Sequence, residues 1–344
     1  MRRIIFFGIL VLSARVSAQD PTFSQLYNFP VYYNPAAVGM NQGLHTGIIY
    51  RNQWTELPGM FNTYALTMDV QIPKVKSGFG LMLSADNEGE GHIRRKEIAS
   101  VYCFSIQSSG HQKSKFSHQF QGAIQVAGVF QRIESNLLIY SDQLDPLGGV
   151  VNATGAPIPL AQKSYPDFDA GFMWRIAKLR GRNHYNNIIG FSCHHMTKPD
   201  NSFEGSDTRL PRKWTMSWSG VLPLTGKKNR GHNIATMFST NLFTPTVLVE
   251  VQDKFVETIL GFNLGYLKKF YSGTWLRVGS QMDALIIDCG IDNRNKHYAY
   301  RFGFSHDVPV GPLKLASPLI TNEITLLFTF YDVFSSGHQK CPYW

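Results

Sequence analysis

Along much of this chain apolar and polar residues take strict turns, in stretches of about ten residues separated by turn residues. In Phe61–Gln71, Tyr64, Leu66, Met68 and Val70 alternate with Thr63, Ala65, Thr67, Asp69 and Gln71. From Val256 to Tyr266, Val256, Leu260, Phe262, Leu264 and Tyr266 share one face, and Glu257, Gly261, Asn263 and Gly265 the other. Tyr298, Tyr300, Phe302 and Phe304 oppose Ala299, Arg301, Gly303 and Ser305; Ile324, Leu326, Phe328 and Phe330 oppose Glu323, Thr325 and Thr329. Successive side chains on a strand point to opposite faces, so each stretch is a strand with one apolar face. Two all-β architectures satisfy that pattern. A soluble sandwich turns the apolar face into its core, whereas a membrane barrel turns it toward lipid and keeps the polar face for the lumen.

Three features favour the barrel. The chain opens MRRIIFFGILVLSARVSAQD, with two arginines, the apolar run Ile4–Leu12 and the small residues Val16-Ser17-Ala18. That is the pattern of a cleaved export signal over residues 1–18. The stretches match the ~9–11 residues that a tilted strand needs to span a bilayer. The chain is polar on average yet carries 24 Phe and 15 Tyr, as suits a wall greasy outside and polar inside. No later apolar run reaches the ~20 residues of a membrane helix. Fourteen strands are expected, at about 44–54, 61–71, 77–87, 95–107, 118–130, 166–177, 186–196, 212–223, 231–242, 245–252, 256–267, 273–284, 297–306 and 321–332. The expected organisation is a signal peptide (1–18), an N-terminal periplasmic or lumenal segment (19–43), a transmembrane antiparallel barrel (44–332) and a periplasmic tail (333–344). If the first strand leaves the periplasm, the long connections Arg132–Tyr165, Lys198–Arg212 and Asp307–Ile320 all lie outside. Segment 19–43 contains Pro21, Pro30 and Pro35, which cannot donate to a ladder. Its aromatics Phe23, Tyr27, Phe29, Tyr32 and Tyr33 call for an ordered place at the periplasmic mouth or in the lumen.

Catalytic and metal chemistry find little to stand on. Residues 190–203, GFSCHHMTKPDNSF, place two histidines side by side, but a regular strand sends His194 and His195 to opposite faces. Zinc wants three or four convergent ligands, so the pair reads as structural and no metal or cofactor is expected. There is no G-x-S-x-G elbow, H-E-x-x-H, phosphate loop or paired C-x-x-C. The formal charge of +9 could suit nucleic acid in principle, but an exported barrel seldom meets it. In this register Lys74, Lys76, Lys113, Lys115, Lys178, Arg180, Arg182, Lys227, Lys228, Arg230, Lys254, Arg294 and Lys296 fall in periplasmic turns. Glu88, Glu90, Asp142, Asp145, Asp200, Glu204 and Asp207 fall outside. Of four cysteines, Cys103 and Cys193 sit in separate wall strands, Cys289 in a periplasmic turn and Cys341 in the tail. The expectation is a Cys289–Cys341 disulfide in the oxidising periplasm, the alternative being two free thiols.

Several stretches resemble one family. The segment QDPTFSQLYNFPVYYNPAAVG, YRNQW at 50–54, GFSCHHMTKPDNSF at 190–203, LPRKWT at 210–215, NEITLLFTF at 322–330 and the CP at 341–342 are similar to the PorP/SprF family of outer-membrane proteins. The chain departs from that pattern at Phe304-Ser305-His306-Asp307, where a tyrosine-aspartate pair is more usual, and at Asn322-Glu323, where histidine-glutamate is. The resemblance implies a non-enzymatic outer-membrane barrel of the type IX secretion and gliding machinery. It implies periplasmic secretion and motor components and a peptidoglycan-associated protein as partners, with a secreted adhesin as client, set in outer-membrane lipid. Partner-contact candidates are Arg51, Trp54, His194, Lys113, Lys115, Arg180, Arg182, Lys227, Lys228 and Arg230. The competing readings are a passive channel for small or hydrophobic solutes and a barrel-borne hydrolase.

Overall fold

The computed structural model describes residues 20–331, apart from 42, 56–58, 60, 90–92, 109–115, 135–137, 146–148, 152, 156–161, 179–185, 204–208, 225–241, 267–268, 280–281 and 311–319. Fourteen strands form one antiparallel ring: β1 Leu44–Gln53, β2 Phe61–Ile72, β3 Ser77–Glu88, β4 Ile93–Ser108, β5 Phe116–Ile133, β6 Gln162–Lys178, β7 Asn186–His194, β8 Lys213–Pro223, β9 Leu242–Gln252, β10 Phe255–Tyr266, β11 Phe270–Val278, β12 Met282–Arg294, β13 Tyr298–Pro309 and β14 Thr321–Phe330. Each strand pairs with its neighbours in sequence, and the ring closes where β1 meets β14, from Leu44↔Phe330 to Gln53↔Thr321. Closure leaves no unpaired edge, which backbone immersed in hydrocarbon requires.

The burial pattern decides between the two architectures. On β5, Ser117, Gln119, Gln121, Gln125 and Ala127 are buried, while Phe120, Ile124, Val126 and Phe130 are exposed. On β2, Thr63, Thr67 and Asp69 are buried, and Tyr64 and Met68 exposed. This is a soluble protein turned inside out, with its apolar stripe around the outer wall and its polar residues within. No helix of the described chain is long and apolar enough to cross a membrane; the strands do the crossing.

Two assignments made from the sequence are corrected. The stretch 273–284 is not one strand: β11 ends at Val278 and β12 begins at Met282, the two pairing as a hairpin. The turn is hard to see because Ala284, Ile286 and Trp275 are apolar yet point into the lumen. The expected strand 231–242 falls mostly outside the described residues, and β9, starting at Leu242, pairs directly with β8. The total of fourteen therefore survives with different members, and the connections between them change sides. The turn holding Lys254 joins the rim of the long connections, and the turn holding Lys269 moves to the opposite rim. Cys289 lies mid-strand in β12, paired with Phe304 and Ser272, with its side chain exposed on the outer wall. It is a free thiol, so its placement in a periplasmic turn does not hold; Cys341 lies outside the described residues.

Candidate functional site: a barrel filled by its own N-terminal segment

Residues 20–43 occupy the lumen. Asp20 lies among the strand ends next to the long connections, and Gly39 reaches Asp69 and Gly78 near the opposite rim, where β1 begins. Short elements fold this segment. Pro30–Tyr33 makes one helical turn and Pro35–Ala37 a 3₁₀ turn, each opened by proline, whose missing N–H costs nothing at a first helical position. Between them Asn34 accepts from Ala36 N at 2.9 Å and donates from Nδ2 to the Phe172 carbonyl at 3.0 Å. The wall makes room for it: a Cβ on Gly171 would stand 2.2 Å from Asn34 Oδ1.

The segment's apolar residues meet an apolar patch in an otherwise polar lumen. Phe23, Leu26, Phe29 and Tyr33 pack against Ile49, Ala65, Leu248, Ile259, Trp275 and Ile286. Tyr27 stacks on Trp275 with ring centroids 5.5 Å apart. Burying a phenylalanine stabilises by roughly 1.5–3 kcal/mol, and both Phe23 and Phe29 are sealed from solvent.

Charged groups fix the segment at two places beneath the long-connection rim. In the first, Arg51 pairs with Asp307 at 3.2 Å and with Glu323 at 3.3 Å, and Arg277 with Asp307 at 2.9 Å. Backbone N–H groups of Ser24 and Gln25 both donate to Glu323 at 2.8 Å, and the Ser24 hydroxyl donates to Asp307 at 2.7 Å. The two acids that clamp the segment, Asp307 and Glu323, each follow directly a residue at which the chain departs from the resembled pattern, His306 and Asn322. In the second, Asp20 meets His195 Nε2 at 2.7 Å, Arg95 at 2.9 Å and Lys213 at 3.0 Å. His195 also binds Asp167 through Nδ1, and its backbone N–H donates to Asp169 at 2.9 Å. Burial alone would raise the Asp20 carboxyl, but His195, then Lys213 and Arg95, outweigh it and hold the group well below its ordinary range. Burial alone would lower the His195 imidazole; Asp20, then Asp167, lift it to about 10. An imidazolium between two carboxylates is the result. Nearer the opposite rim Arg301 donates to Asn28 at 3.0 Å and to Asp292 at 2.8 Å.

The histidine pair is therefore not split as strand geometry predicted. β7 ends at His194, and His195 takes a left-handed backbone (φ 56°) that turns its ring inward as well. Asp167, Asp169 and His195 bring ligand atoms within 4.8 Å of one another. Both imidazole nitrogens are already engaged by carboxylates, so a metal among these three would have to displace the Nδ1 proton that faces Asp167, with Nε2 remaining on Asp20. A chain Ser192–His194–Asp169 also exists, at 3.2 and 3.3 Å. It does not make a hydrolase. The Ser192 hydroxyl donates to the Tyr33 carbonyl at 2.6 Å, and His194 Nε2 donates to the same oxygen at 3.0 Å, so that nitrogen cannot take the serine's proton.

Of the partner-contact candidates, Arg51 and His194 are buried against the chain's own N-terminal segment, and Trp54 stands at the long-connection rim against Phe61. Lys113, Lys115, Arg180, Arg182, Lys227, Lys228 and Arg230 lie outside the described residues, as do the signal peptide and the tail. Sequence reading missed both clamps, Ser24 with Asp307 and Glu323, and Asp20 with His195 and Asp167. The detectable signal was acid and arginine at inward positions of alternating strands.

A closed antiparallel ring of fourteen strands, apolar outside and filled inside by the segment before its first strand, defines an outer-membrane β-barrel of the plugged kind. Within that class, this chain belongs to the type IX secretion system membrane protein PorP/SprF family, whose model matches residues 15–328. That family is one of secretion membrane proteins rather than enzymes. No curated protein matches the chain. Among solved structures it is similar to a Pseudomonas aeruginosa FadL homologue (11% identity, 86% of this chain and 92% of that one, TM-score 0.36). It is also similar to the Pseudomonas putida toluene transporter TodX (8%, 88% and 93%, 0.39). A third is the β domain of the Bordetella autotransporter BrkA (8%, 84% and 98%, 0.35). Likenesses this loose carry no functional argument.

Proposed function

We propose that this protein is a plugged outer-membrane component of the type IX secretion and gliding machinery, linking periplasmic partners to the export or surface anchoring of a secreted protein. The observation that carries this reading is the filled lumen, in a chain whose family membership spans nearly its whole length. A barrel clamped around its own N-terminal segment suits a docking platform better than an open pore. The partners in view are periplasmic secretion and motor components and a peptidoglycan-associated protein, with a secreted adhesin as client. The rim opposite the long connections carries Lys74, Lys76, Lys178, Lys269, Arg294 and Lys296. On this reading it faces the periplasm and steers acidic partners, since complementary charge sets encounter and orientation more than affinity. Affinity capture from a native host, with and without the chain, tests it: periplasmic machinery should co-purify, and its absence overturns the role. The passive-channel reading requires steady conductance from the purified intact protein in a planar bilayer; the plug argues for none.

A further inference from the structure

Neither the plug nor the secretion role uses a basic patch on the outer wall. On β4 and β5, near the long-connection rim, Arg94, Lys96 and Arg132 are exposed and point out of the barrel. They continue the outward series Ile98, Tyr102, Phe104 and Ile106 on β4, and Ile124, Val126 and Phe130 on β5, all exposed. The cations therefore stand at the edge of the apolar band, where acyl chains give way to headgroups. Register places Arg94 directly opposite Arg132, and like charges in that position oppose pairing. One carboxylate, Glu134, meets Arg94 at 3.1 Å; among the described residues Lys96 and Arg132 have no ion-pair partner. Elsewhere the same outward rim carries neutral amides such as Asn52, Asn62, Asn87 and Asn322, and an arginine, Arg212, which donates to the Met196 carbonyl at 3.0 Å. The three cations line a hollow of about 350 Å³ with Phe130, Gln162, Ser164 and a fourth cation, Lys163, which Asp200 pairs at 2.6 Å.

We propose that this hollow binds the phosphorylated headgroup of a membrane glycolipid, in the leaflet that meets the long-connection rim. Arginine offers a planar fork of N–H donors that matches phosphate oxygens, and lysine adds a point charge. The hollow falls at the low end of ligand pockets, ~300–1,000 Å³, more than one phosphate fills. Its amide and hydroxyl groups suit sugar hydroxyls, and the apolar wall below continues toward acyl chains. A bound phosphate also relieves the part of the Arg94–Arg132 repulsion that Glu134, paired with Arg94 alone, does not offset.

The test is lipid retention by native mass spectrometry of the detergent-purified protein. It would be titrated with monophosphorylated lipid A, dephosphorylated lipid A, phosphatidylglycerol and inorganic phosphate. Wild type should retain monophosphorylated lipid A, and the triple variant Arg94→Gln, Lys96→Gln, Arg132→Gln should retain about tenfold less. The dephosphorylated lipid should bind weakly, and inorganic phosphate should not displace the lipid. Lys74→Gln with Lys76→Gln, on the opposite rim, should leave lipid A retention unchanged. Equal retention by the triple variant overturns the proposal, as does an equal loss in the opposite-rim variant. Retention of phosphatidylglycerol matching that of lipid A overturns the glycolipid assignment. Should the triple variant fail to fold, salt titration of the wild type decides: retention that ignores ionic strength overturns the site. No outcome of this test bears on the secretion role.

Discussion

His195 sits between Asp20 of the plug and Asp167 of the wall, and that position sets a pH dependence with a definite sign. Its imidazole is raised from the ordinary 6.5 to about 10, so its contribution to stability is complete below about pH 6.5 and disappears as pH rises through about 10. Asp20 is held below its ordinary value; its contribution is present above about pH 4 and declines as the medium becomes more acidic than that. Thermal unfolding in detergent should therefore show a plateau between about pH 4 and 6.5 and a decline toward alkali. In His195→Gln the alkaline decline attributable to this pair should vanish. Asp20→Asn leaves buried cations short of a partner and should cost about 3–5 kcal/mol, read as a lowered melting temperature. Gly171→Ala is expected to cost about 1–3 kcal/mol, because its new Cβ would stand 2.2 Å from Asn34 Oδ1. Gly122→Ala, with nothing within 4 Å of the new atom, should change stability by less than about 0.5 kcal/mol. Cys289 should react with a maleimide in denaturant without prior reduction, since it is a free thiol. Reaction should be slower in the intact barrel, where it faces lipid, because the reacting form is the thiolate and hydrocarbon solvates charge poorly.

The plug and the strands were not equally legible. Where the lumen is polar, as along β2, β5 and β13, alternation located the strands and sorted their residues into two faces; that the apolar face turns outward was read from the export signal, the strand lengths and the composition instead. It failed at the β11–β12 hairpin because the plug's aromatics demand apolar partners there, and Trp275 and Ile286 break the pattern on the inward face. The His194–His195 pair was misread for a different reason: only the left-handed backbone at His195, invisible in a residue string, brings both rings inside. The clamp on Ser24 joins residues nearly the whole chain apart, and no local pattern announces that Arg51, Asp307 and Glu323 will converge on it. The plug itself yields a direct prediction. Deleting residues 20–40 should turn a quiet bilayer into one with stepwise conductance, while β-sheet content by circular dichroism stays near that of the intact barrel. A deletion variant as silent as wild type would mean the strands themselves close the lumen.

For the whole molecule, the rim opposite the long connections carries a band of lysine and arginine. Reversing Lys74, Lys76, Lys178, Lys269, Arg294 and Lys296 together should weaken capture of periplasmic partners in a salt-sensitive way, with insertion into the membrane unaffected. Capture unchanged by the reversal would assign those lysines and arginines to solvation alone. The plug has a further consequence for how the ring comes to exist. It precedes β1 in the chain, and its contacts include walls on both sides of the seam, Arg51 on β1 and Glu323 on β14. Those two strands are the first and last to be made, and their pairing is what shuts the ring. Once shut, the ring would admit Phe23, Phe29 and Asp20 only by threading from one mouth almost to the other. Docking before closure avoids that passage, so the N-terminal segment serves as the template around which the final seam is zipped. A chain lacking the Ser24–Glu323 contact should then accumulate during assembly as an open sheet with its first and last strands apart.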